Sequence, residues 1–447
     1  MTNSSSAQPL IAKPAKHPLK GRIKVPGDKS ISHRSLMFAA LATGESHITG
    51  LLEGEDVLQT AAAMRAMGAD LQKISEGEWH VKGKGIGHLQ EPTDILNMGN
   101  SGTSARLLSG ILASHGFFSV ITGDDSLRKR PMARIIKPLS ETGAQFFCRE
   151  GQRLPMAIMG TDRAKPLGYR LPVASAQVKS AILLAGLNAC GTTWVEEPIA
   201  TRDHTENMLR HFGVDVEVKP LPEGRKRIEI TGPVTLQAKD IIVPGDPSSA
   251  AFILVACALV SGSEVCIEAV GLNPLRTGSF DMLQKMGIDL KIENRRIEGG
   301  EPLGDILVKA SHLKGIEIPA HVAPSMIDEF PVLSVAAAYA DGTSRFCGLE
   351  ELRVKESDRF TNIVEMLRGN GVSVQVEQDD IIITGTNGLI PGGGKVSTHM
   401  DHRLAMSASI LGLVAQKSVT VDDIRFIKTS FPNYFALMNQ LGAGFNQ

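Results

Sequence analysis

Six short stretches of the chain are together rich in Gly, Ser, Asp, Asn, Lys and Arg, and each stands directly before a run of small apolar residues. The stretches are GDKSISHR (27–34), GNSGTSAR (99–106), ASAQVKS (174–180), GDPSSAA (245–251), APSMIDEF (323–330) and MDHRLAM (400–406). A helix that begins in such a stretch presents unpaired backbone N–H groups and the positive end of its dipole, and both attract anions. The sequence therefore predicts binding of phosphate or carboxylate groups at helix starts.

Capping is the alternative interpretation, because Ser, Asp and Asn often cap a helix without any ligand. Ser325 and Asp328, for example, have the spacing of a capping box. Basic residues fit capping less well, since a cation in the first turn opposes the helix dipole. Four cations lie in or near these first turns: Lys29, Arg34, Arg106 and Arg403. Their repetition favours an anionic partner.

Two further basic clusters, DDSLRKRPMAR (124–134) and ELRVKESDRF (351–360), follow predicted strands. A solvated charged surface is the ordinary interpretation of such runs. If a helix begins as early as Lys355, however, Lys355 and Arg359 place like charges on one face, which is unfavourable without a bound anion. Several anionic groups on one or more substrates would explain all of these cations together.

The elements that position these residues recur six times along the chain. Each repeat predicts a buried helix of small apolar residues, a strand, a surface helix ending in Gly, and two more strands. The terminal glycines recur at intervals of 70 to 84 residues: Gly68, Gly143, Gly213, Gly287, Gly371 and Gly442. If three buried helices run parallel in each domain, six helix starts can face one cleft.

The motif Val-Pro-Gly-Asp occurs twice, at 25–28 and 243–246, each time after a strand-like run. We interpret the two copies as crossings between two domains of three repeats each, which would permit hinge closure. One domain then comprises residues 26–245, and the other comprises residues 1–25 with 246–447. The sixth repeat lacks its last strand, and GRIKV (21–25) is predicted to supply it. Two coincidental turns are the alternative.

Composition excludes several classes of function. The net charge of −1 and the aromatic content of 4% argue against binding of nucleic acid or a membrane surface. No uncharged apolar run reaches the roughly 18 residues of a membrane-spanning helix. The five cysteines show no pairing pattern, which is typical of a reduced cytoplasmic protein. Residues 1–16 lack the apolar core of a signal peptide and are predicted to form a loose tail.

Cofactor motifs are incomplete wherever they are suggested. GDKS, PGGGKVST and KGKGIGHL each miss required positions of phosphate-binding or dinucleotide-binding loops. The 12 His residues show no metal-ligand spacing such as HExxH. We therefore predict neither a nucleotide cofactor nor a catalytic metal.

Long stretches of the chain closely resemble the EPSP synthase family, the 3-phosphoshikimate 1-carboxyvinyltransferases, and in particular its second class. The stretches are GDKSISHRS, LLEGEDV, KRPMAR, SAQVKSAILLAGL, TRDHTE, PGDPSS, APSMIDE, LEELRVKESDR and DHRLAM. The resemblance implies a two-domain inside-out α/β fold in a monomer. It also implies transfer of the enolpyruvyl group of phosphoenolpyruvate to the 5-hydroxyl of shikimate 3-phosphate, by addition and elimination, with no cofactor.

The resemblance also implies roles for single residues. Those expected at shikimate 3-phosphate are Lys29, Ser30, Arg34, Ser175, Gln177, Arg202, Asp328 and Lys355. Those expected at phosphoenolpyruvate are Lys29, Gly102, Arg130, Gln177, Arg359 and Arg403, with Asn100 and Thr103 in the same loop as Gly102. Asp328 is implied as the base at the 5-hydroxyl, Glu356 as the residue that moves protons at the methylene carbon, and Lys29 as a proton donor.

Two positions depart from patterns in the family. Some members have a Lys directly before Ser/Thr-Phe-Pro, whereas this chain has Thr429 there and Lys428 one residue earlier, so we assign Lys428 no role. Forms tolerant of the inhibitor glyphosate have Ala where this chain has Gly102. Because Gly102 leaves room for the inhibitor at the phosphoenolpyruvate site, we expect this chain to be glyphosate-sensitive.

Two other functions remain open from the residues. The sister enzyme that acts on UDP-N-acetylglucosamine shares the architecture but carries a Cys in the loop matching GDDSLRKRPM, where this chain has none. A non-catalytic sensor of phosphate ligands would keep the cationic helix starts but could lose the acid–base pair. Asp328 and Glu356 are both present, which disfavours the sensor.

Overall fold

A computed structural model of the chain describes residues 7–446. Within that range, six helices follow the polar stretches and are largely buried, as their apolar composition predicts. They are α1 Lys29–Leu41, α3 Gly102–Ala113, α5 Ala176–Gly186, α7 Pro247–Leu259, α9 Phe330–Tyr339 and α11 His402–Val414. In α7 every side chain is buried.

Six surface helices alternate with the buried ones. They are α2 Glu55–Ala66, α4 Ala133–Ser140, α6 His204–His211, α8 Gly278–Met286, α10 Arg359–Gly369 and α12 Tyr434–Leu441. The six glycines predicted to follow them all have φ between 82° and 108°. A left-handed glycine therefore stands at the C-terminal cap or one to two residues beyond it in each of these helices, as predicted.

The strands form six small sheets. Those between residues 27 and 243 are β3 Thr43–Thr49, β4 Asp70–Ser75, β5 Glu78–Lys84, β6 Leu96–Asn97, β7 Phe118–Thr122, β8 Gln145–Arg149, β9 Arg153–Met159, β10 Gly168–Arg170, β11 Gly191–Glu197, β12 Glu217–Pro220, β13 Lys226–Gly232 and β14 Ile241–Ile242. The others are β1 Leu10–Ala12, β2 Lys20–Ile23, β15 Glu264–Gly271, β16 Asp289–Glu298, β17 Glu301–Lys309, β18 Glu317–Ile318, β19 Thr343–Phe346, β20 Ser373–Glu377, β21 Asp380–Thr384, β22 Lys395–Val396 and β23 Val419–Val421.

One pairing rule applies to all six sheets. The strand after each buried helix has an antiparallel partner on one side and a short parallel strand on the other, and the orders are β14-β3-β5-β4, β6-β7-β9-β8, β10-β11-β13-β12, β2-β15-β17-β16, β18-β19-β21-β20 and β22-β23-β1. The predicted α/β fold of six repeats is confirmed by this regularity.

The chain separates into two compact units, each with its own apolar core. Unit I comprises residues 27–243 and 297–301, and unit II comprises residues 7–26, 244–296 and 302–446. Residues 297–301, at the turn between β16 and β17, were not predicted to belong with unit I. Glu301 explains the grouping, because its Oε1 lies 2.8 Å from Nδ1 of the buried His204. The two predicted domains, 26–245 and 1–25 with 246–447, stay a prediction.

Part of the N-terminal segment forms a strand, and the prediction that residues 1–16 are a loose tail is wrong there. Leu10–Ala12 forms β1, which pairs antiparallel with β23, and the Ala15 N–H donates to the Leu413 carbonyl. Alternation explains the strand, because Leu10 and Ala12 are buried whereas Ile11 is exposed. The sixth sheet is therefore completed by β1, and the strand in GRIKV (21–25) instead pairs with β15. The predicted loose tail also included residues 1–6, which lie outside the described residues.

Helices able to cross a membrane are not found in the part of the chain that the structure describes. The longest helices, α1, α7 and α11, have 13 residues each, whereas a membrane-spanning helix needs about 20.

Candidate active site

The predicted site residues fall into two clusters, one in each unit. Unit I holds Lys29, Ser30, Arg34, Asn100, Gly102, Thr103, Arg130, Ser175, Gln177 and Arg202. Unit II holds Asp328, Lys355, Glu356, Arg359 and Arg403. In both units the residues lie at or just before the first turns of buried helices, or in loops that contact those turns.

Helix α1 begins with Lys29, directly after the capping residue Asp28. The Asp28 carboxylate accepts a hydrogen bond of 2.8 Å from the Ile31 N–H, so it occupies the anion-binding end of the helix itself. The Lys29 ammonium pairs with the carboxylate of Asp56 and stays partly exposed. Lys29 is thus held in place at a helix start while its charge remains accessible.

Arg34, one and a half turns further along α1, is almost completely buried. Its Nε donates to Thr205 Oγ1 at 2.8 Å, its Nη2 to Ser180 Oγ at 2.8 Å, and its Nη1 to the Ser30 carbonyl at 2.9 Å. Burial lowers the pKa of Arg34 to about 10, which keeps the guanidinium charged at neutral pH. These bonds tie α1 to α5 and α6, and the predicted contact of Arg34 with shikimate 3-phosphate stays a prediction.

Gly102 is the first residue of α3, and the loop before it orients Arg130. Asn100 accepts a hydrogen bond of 2.9 Å from Arg130 Nη2 through Oδ1 and donates one of 2.6 Å to Asp124 through Nδ2. Ser126 Oγ lies 3.3 Å from the same Arg130 nitrogen. The guanidinium is therefore aimed by two neutral oxygens, which leave its positive charge uncompensated by these contacts.

Gln177 connects the first turns of α3 and α5. Its Nε2 donates to Thr103 Oγ1 at 3.0 Å, and its Oε1 accepts from Arg106 Nη1 at 2.9 Å. Ser175 caps α5 and accepts from the Val178 N–H. Three of the predicted residues in unit I are thus brought together, and Arg106 contributes by fixing the orientation of the Gln177 amide.

Lys179, which follows Gln177 by two residues, was not among the predicted site residues. Its side chain is fully buried, and its ammonium lies 2.7 Å from Glu206 Oε1 and 3.2 Å from Glu197 Oε2. Burial alone would lower the pKa of Lys179, but the two glutamates outweigh it and raise the pKa. This triad supports the loop of Arg202, since Lys179 also donates to the Thr201 carbonyl. A lysine in the apolar run SAQVKSAILLAGL was the available signal.

In unit II, the fully buried Arg359 is surrounded by three carboxylates. Its Nε donates to Asp401 Oδ2 at 2.7 Å, its Nη1 to Asp328 Oδ1 at 3.0 Å, and its Nη2 pairs with Glu356 Oε2 at 2.5 Å. Burial opposes the charge, but Asp401, Glu356 and Asp328 outweigh it and raise the pKa of Arg359 above its ordinary value. Arg359 therefore sets the spacing of the two proposed acid–base groups.

Arg403 lies in the first turn of α11 and has looser partners than Arg359. Its Nη1 donates to the Asp328 carbonyl at 3.2 Å, and its Nη2 is 3.9 Å from Asp328 Oδ2.

Lys355 interacts electrostatically with Asp328. Burial lowers the pKa of Lys355, while the charges of Asp328 and Glu356 act to raise it.

Two local interpretations in unit II, the capping box and the early start of α10, do not hold. Ser325 and Asp328 do not form a capping box, because Ser325 ends a 3-10 turn, Ala320–Ser325, and α9 begins only at Phe330. Pro331, which favours the first turn of a helix, explains the later start. Lys355 and Arg359 do not share a helical face either, because α10 begins at Arg359 after its cap, Asp358.

Glu329 was also missed, although it follows Asp328 directly in the motif MIDE. It is buried at the start of α9, beside Ser248 and Arg403.

No group of three or more His, Cys, Asp or Glu residues able to hold a metal ion occurs among residues 7–446.

Solved structures identify first the fold and then the family. The enolpyruvyl transferase NikO from Streptomyces tendae superimposes with a TM-score of 0.75 over 99% of each chain, and at 16% identity it shows the fold alone. An EPSP synthase from Acinetobacter baumannii is much more similar, with a TM-score of 0.89 and 47% identity over 98% of this chain and 99% of the other.

Sequence comparisons agree with the structural ones. The family profile "EPSP synthase (3-phosphoshikimate 1-carboxyvinyltransferase)" matches residues 14–438. The 3-phosphoshikimate 1-carboxyvinyltransferase of Gluconobacter oxydans is 64% identical over 98% of this chain and 99% of its own length. That of Granulibacter bethesdensis is 63% identical over 99% and 96%. The chain belongs to the EPSP synthase family, and the predictions of family and enzyme class are confirmed.

Proposed function

We propose that the protein transfers the enolpyruvyl group of phosphoenolpyruvate to the 5-hydroxyl of shikimate 3-phosphate and releases phosphate. The observation that carries the proposal is the arrangement of Asp328 and Glu356 around Arg359, at distances of 3.0 and 2.5 Å, within a chain of this family. Two carboxylates held on one guanidinium provide the separate proton acceptors and donors that addition and elimination require.

The reaction would proceed in two balanced stages. In addition, the 5-hydroxyl oxygen bonds to C2 of phosphoenolpyruvate as the C2–C3 double bond opens, Asp328 takes the hydroxyl proton, and protonated Glu356 gives a proton to the methylene carbon C3. In elimination, C3 loses a proton to Glu356 while the bond from C2 to the phosphate oxygen breaks. Phosphate leaves, and the enolpyruvyl double bond forms again. Lys29, at a helix start, supplies a positive charge and a candidate proton for this exchange.

The remaining residues would bind the anionic groups of the two substrates. For shikimate 3-phosphate we propose Lys29, Ser30, Arg34, Ser175, Gln177, Arg202, Asp328 and Lys355. For phosphoenolpyruvate we propose Lys29, Gly102, Arg130, Gln177, Arg359 and Arg403. Arg130 and Arg403 suit carboxylate or phosphate because their guanidinium groups can donate two parallel hydrogen bonds.

Phosphate release tests the proposal. Purified protein with both substrates should release phosphate, and Asp328→Ala should lower kcat by about 100-fold or more, as expected for a general base. Glu365→Ala, which removes an exposed carboxylate on α10, should keep the wild-type rate. Equal rates for Asp328→Ala and wild type would remove Asp328 from the mechanism, and no release by the wild type would overturn the function.

We also propose that the enzyme is a cytoplasmic monomer that glyphosate inhibits. All five cysteines are unpaired thiols, which suits a reducing compartment. Gly102 supports inhibition, because it leaves space beside Arg130 at the proposed phosphoenolpyruvate site. We propose no nucleic-acid or membrane partner.

A further inference from the structure

Glu329 is a buried carboxyl group that has no role in the proposed chemistry. It lies at the N-terminal cap of α9, next to Asp328, and only 1% of its surface is exposed. Its Oε1 accepts a hydrogen bond from Ser248 Oγ on α7 and lies 3.5 Å from Arg403 Nη1 on α11. A single carboxyl group thus contacts the first turns of the two other buried helices in unit II.

The direction of the hydrogen bond from Ser248 is determined by Arg276. Arg276 Nη2 donates to Ser248 Oγ at 3.0 Å and to Asp246 Oδ1 at 3.1 Å, and Asp246 caps α7. Because the hydroxyl oxygen accepts from Arg276, its single proton is available for Glu329. A continuous polar chain therefore runs from the cap of α7 through Arg276, Ser248 and Glu329 to Arg403.

Arg403 makes only long contacts with carboxylates in this segment. Its Nη1 lies 3.5 Å from Glu329 Oε1 and its Nη2 lies 3.9 Å from Asp328 Oδ2, whereas its shorter bond of 3.2 Å is to the uncharged Asp328 carbonyl. Glu329 Oε2 is buried and has no hydrogen-bond partner among the described residues. Burial raises the pKa of Glu329, and the neighbouring charge of Asp328 adds to the rise, so the group favours its neutral form more than an exposed glutamate does.

We propose that Glu329 is a positioning residue that orients the Arg403 guanidinium for an anionic substrate through its bonds to Ser248 and Arg403. This inference rests on the proposed function, because it assumes that Arg403 binds phosphoenolpyruvate. A neutral or weakly paired carboxyl can hold the guanidinium in place and still leave its positive charge for the ligand. A closer ion pair between Glu329 and Arg403 would leave less of this charge for the ligand.

The test compares Glu329→Gln and Glu329→Ala in steady-state phosphate release. Glutamine keeps the acceptor for Ser248 and Arg403, so KM for phosphoenolpyruvate should stay within about 3-fold of wild type. Alanine removes a bond to a charged group, so this KM should rise about 10-fold or more. KM for shikimate 3-phosphate should change much less. Ser248→Ala, a smaller change in the same chain, should raise KM for phosphoenolpyruvate in the same direction.

A merely structural role would give a different pattern. It would lower kcat together with thermal stability and leave both KM values unchanged or shifted alike, and that result would overturn the inference. Wild-type KM values in both Glu329→Ala and Ser248→Ala would also overturn it, as would a Glu329→Gln variant as impaired as Glu329→Ala. If the wild type turns over, only the inference fails in these cases. If the wild type releases no phosphate, the proposed function and the inference fail together.

Discussion

At the scale of single residues, Gly102 shows how one missing methyl group can affect inhibitor and substrate differently. A Cβ added at this position would lie 2.6 Å from Arg106 Nη1 and 3.2 Å from Arg130 Nη1. Both neighbouring atoms are tips of long side chains that can move, but each side chain is hydrogen-bonded within the site, Arg106 to Gln177 and Arg130 to Asn100. The backbone is helical here, so alanine introduces no conformational strain.

We expect Gly102→Ala to raise the glyphosate inhibition constant more than KM for phosphoenolpyruvate. The added methyl group takes up space beside Arg130 and crowds the inhibitor. Inhibition assays at several phosphoenolpyruvate concentrations would measure both constants. Gly369→Ala is the matched control, because a Cβ there meets nothing within 4 Å, and it should change neither constant. Equal increases in both constants would refute the hypothesis.

The charged residues show a second effect at this scale. Arg34 and Arg359 belong to motifs that resemble the family, and the sequence predicted that both bind substrate. In the structure both are buried and already hold polar groups of the protein. Arg359 contacts the nearby Glu356 and also Asp328 and Asp401, which are distant in the chain, and no local pattern could reveal the two distant contacts.

At the scale of elements, the first strand completes a sheet that otherwise has two strands. β1 contributes Leu10, which is 1% exposed, and Ile11, which is 57% exposed, to opposite faces of the same strand. The helix α11 packs near this sheet, since the Ala15 N–H donates to the Leu413 carbonyl. The strand was missed because three residues give too short an alternation to identify.

We expect Leu10→Asp to lower the thermal midpoint of unfolding clearly, because it buries an unpaired charge against the core of unit II. Ile11→Asp puts the same side chain on the exposed face of the same strand and should shift the midpoint far less. Differential scanning calorimetry on both variants makes the comparison. Equal shifts, or none in Leu10→Asp, would mean that β1 does not contribute to the core.

At the scale of the whole molecule, we expect one chain to be the active species. Each unit has its own continuous core, and the predicted site residues are all present in a single chain. Size-exclusion chromatography with light scattering should give about the chain mass of 47.8 kDa. Turnover per chain should not change on dilution. A mass twice as large, with activity that falls on dilution, would contradict the monomer.

The sequence by itself determined the repeat, the helix starts and the family. These features follow from local rules: glycine at a left-handed cap, small apolar residues in a buried helix, and polar residues that cap it or attract anions. Each rule acts within a few residues, so it can be read from the order of the chain. The six left-handed glycines and the six similar sheets confirm the predicted repeat in each of its copies.

Only the tertiary structure decided which charges meet. The Lys179 ammonium pairs with Glu197 and Glu206, and the Glu329 carboxyl group lies between Ser248 and Arg403. Such contacts join residues that are distant in the chain, and their energies depend on burial and geometry that composition does not encode. The turn at 297–301 shows the same effect. The residues on both sides of it in the chain belong to unit II, but the turn groups with unit I, where Glu301 contacts the buried His204.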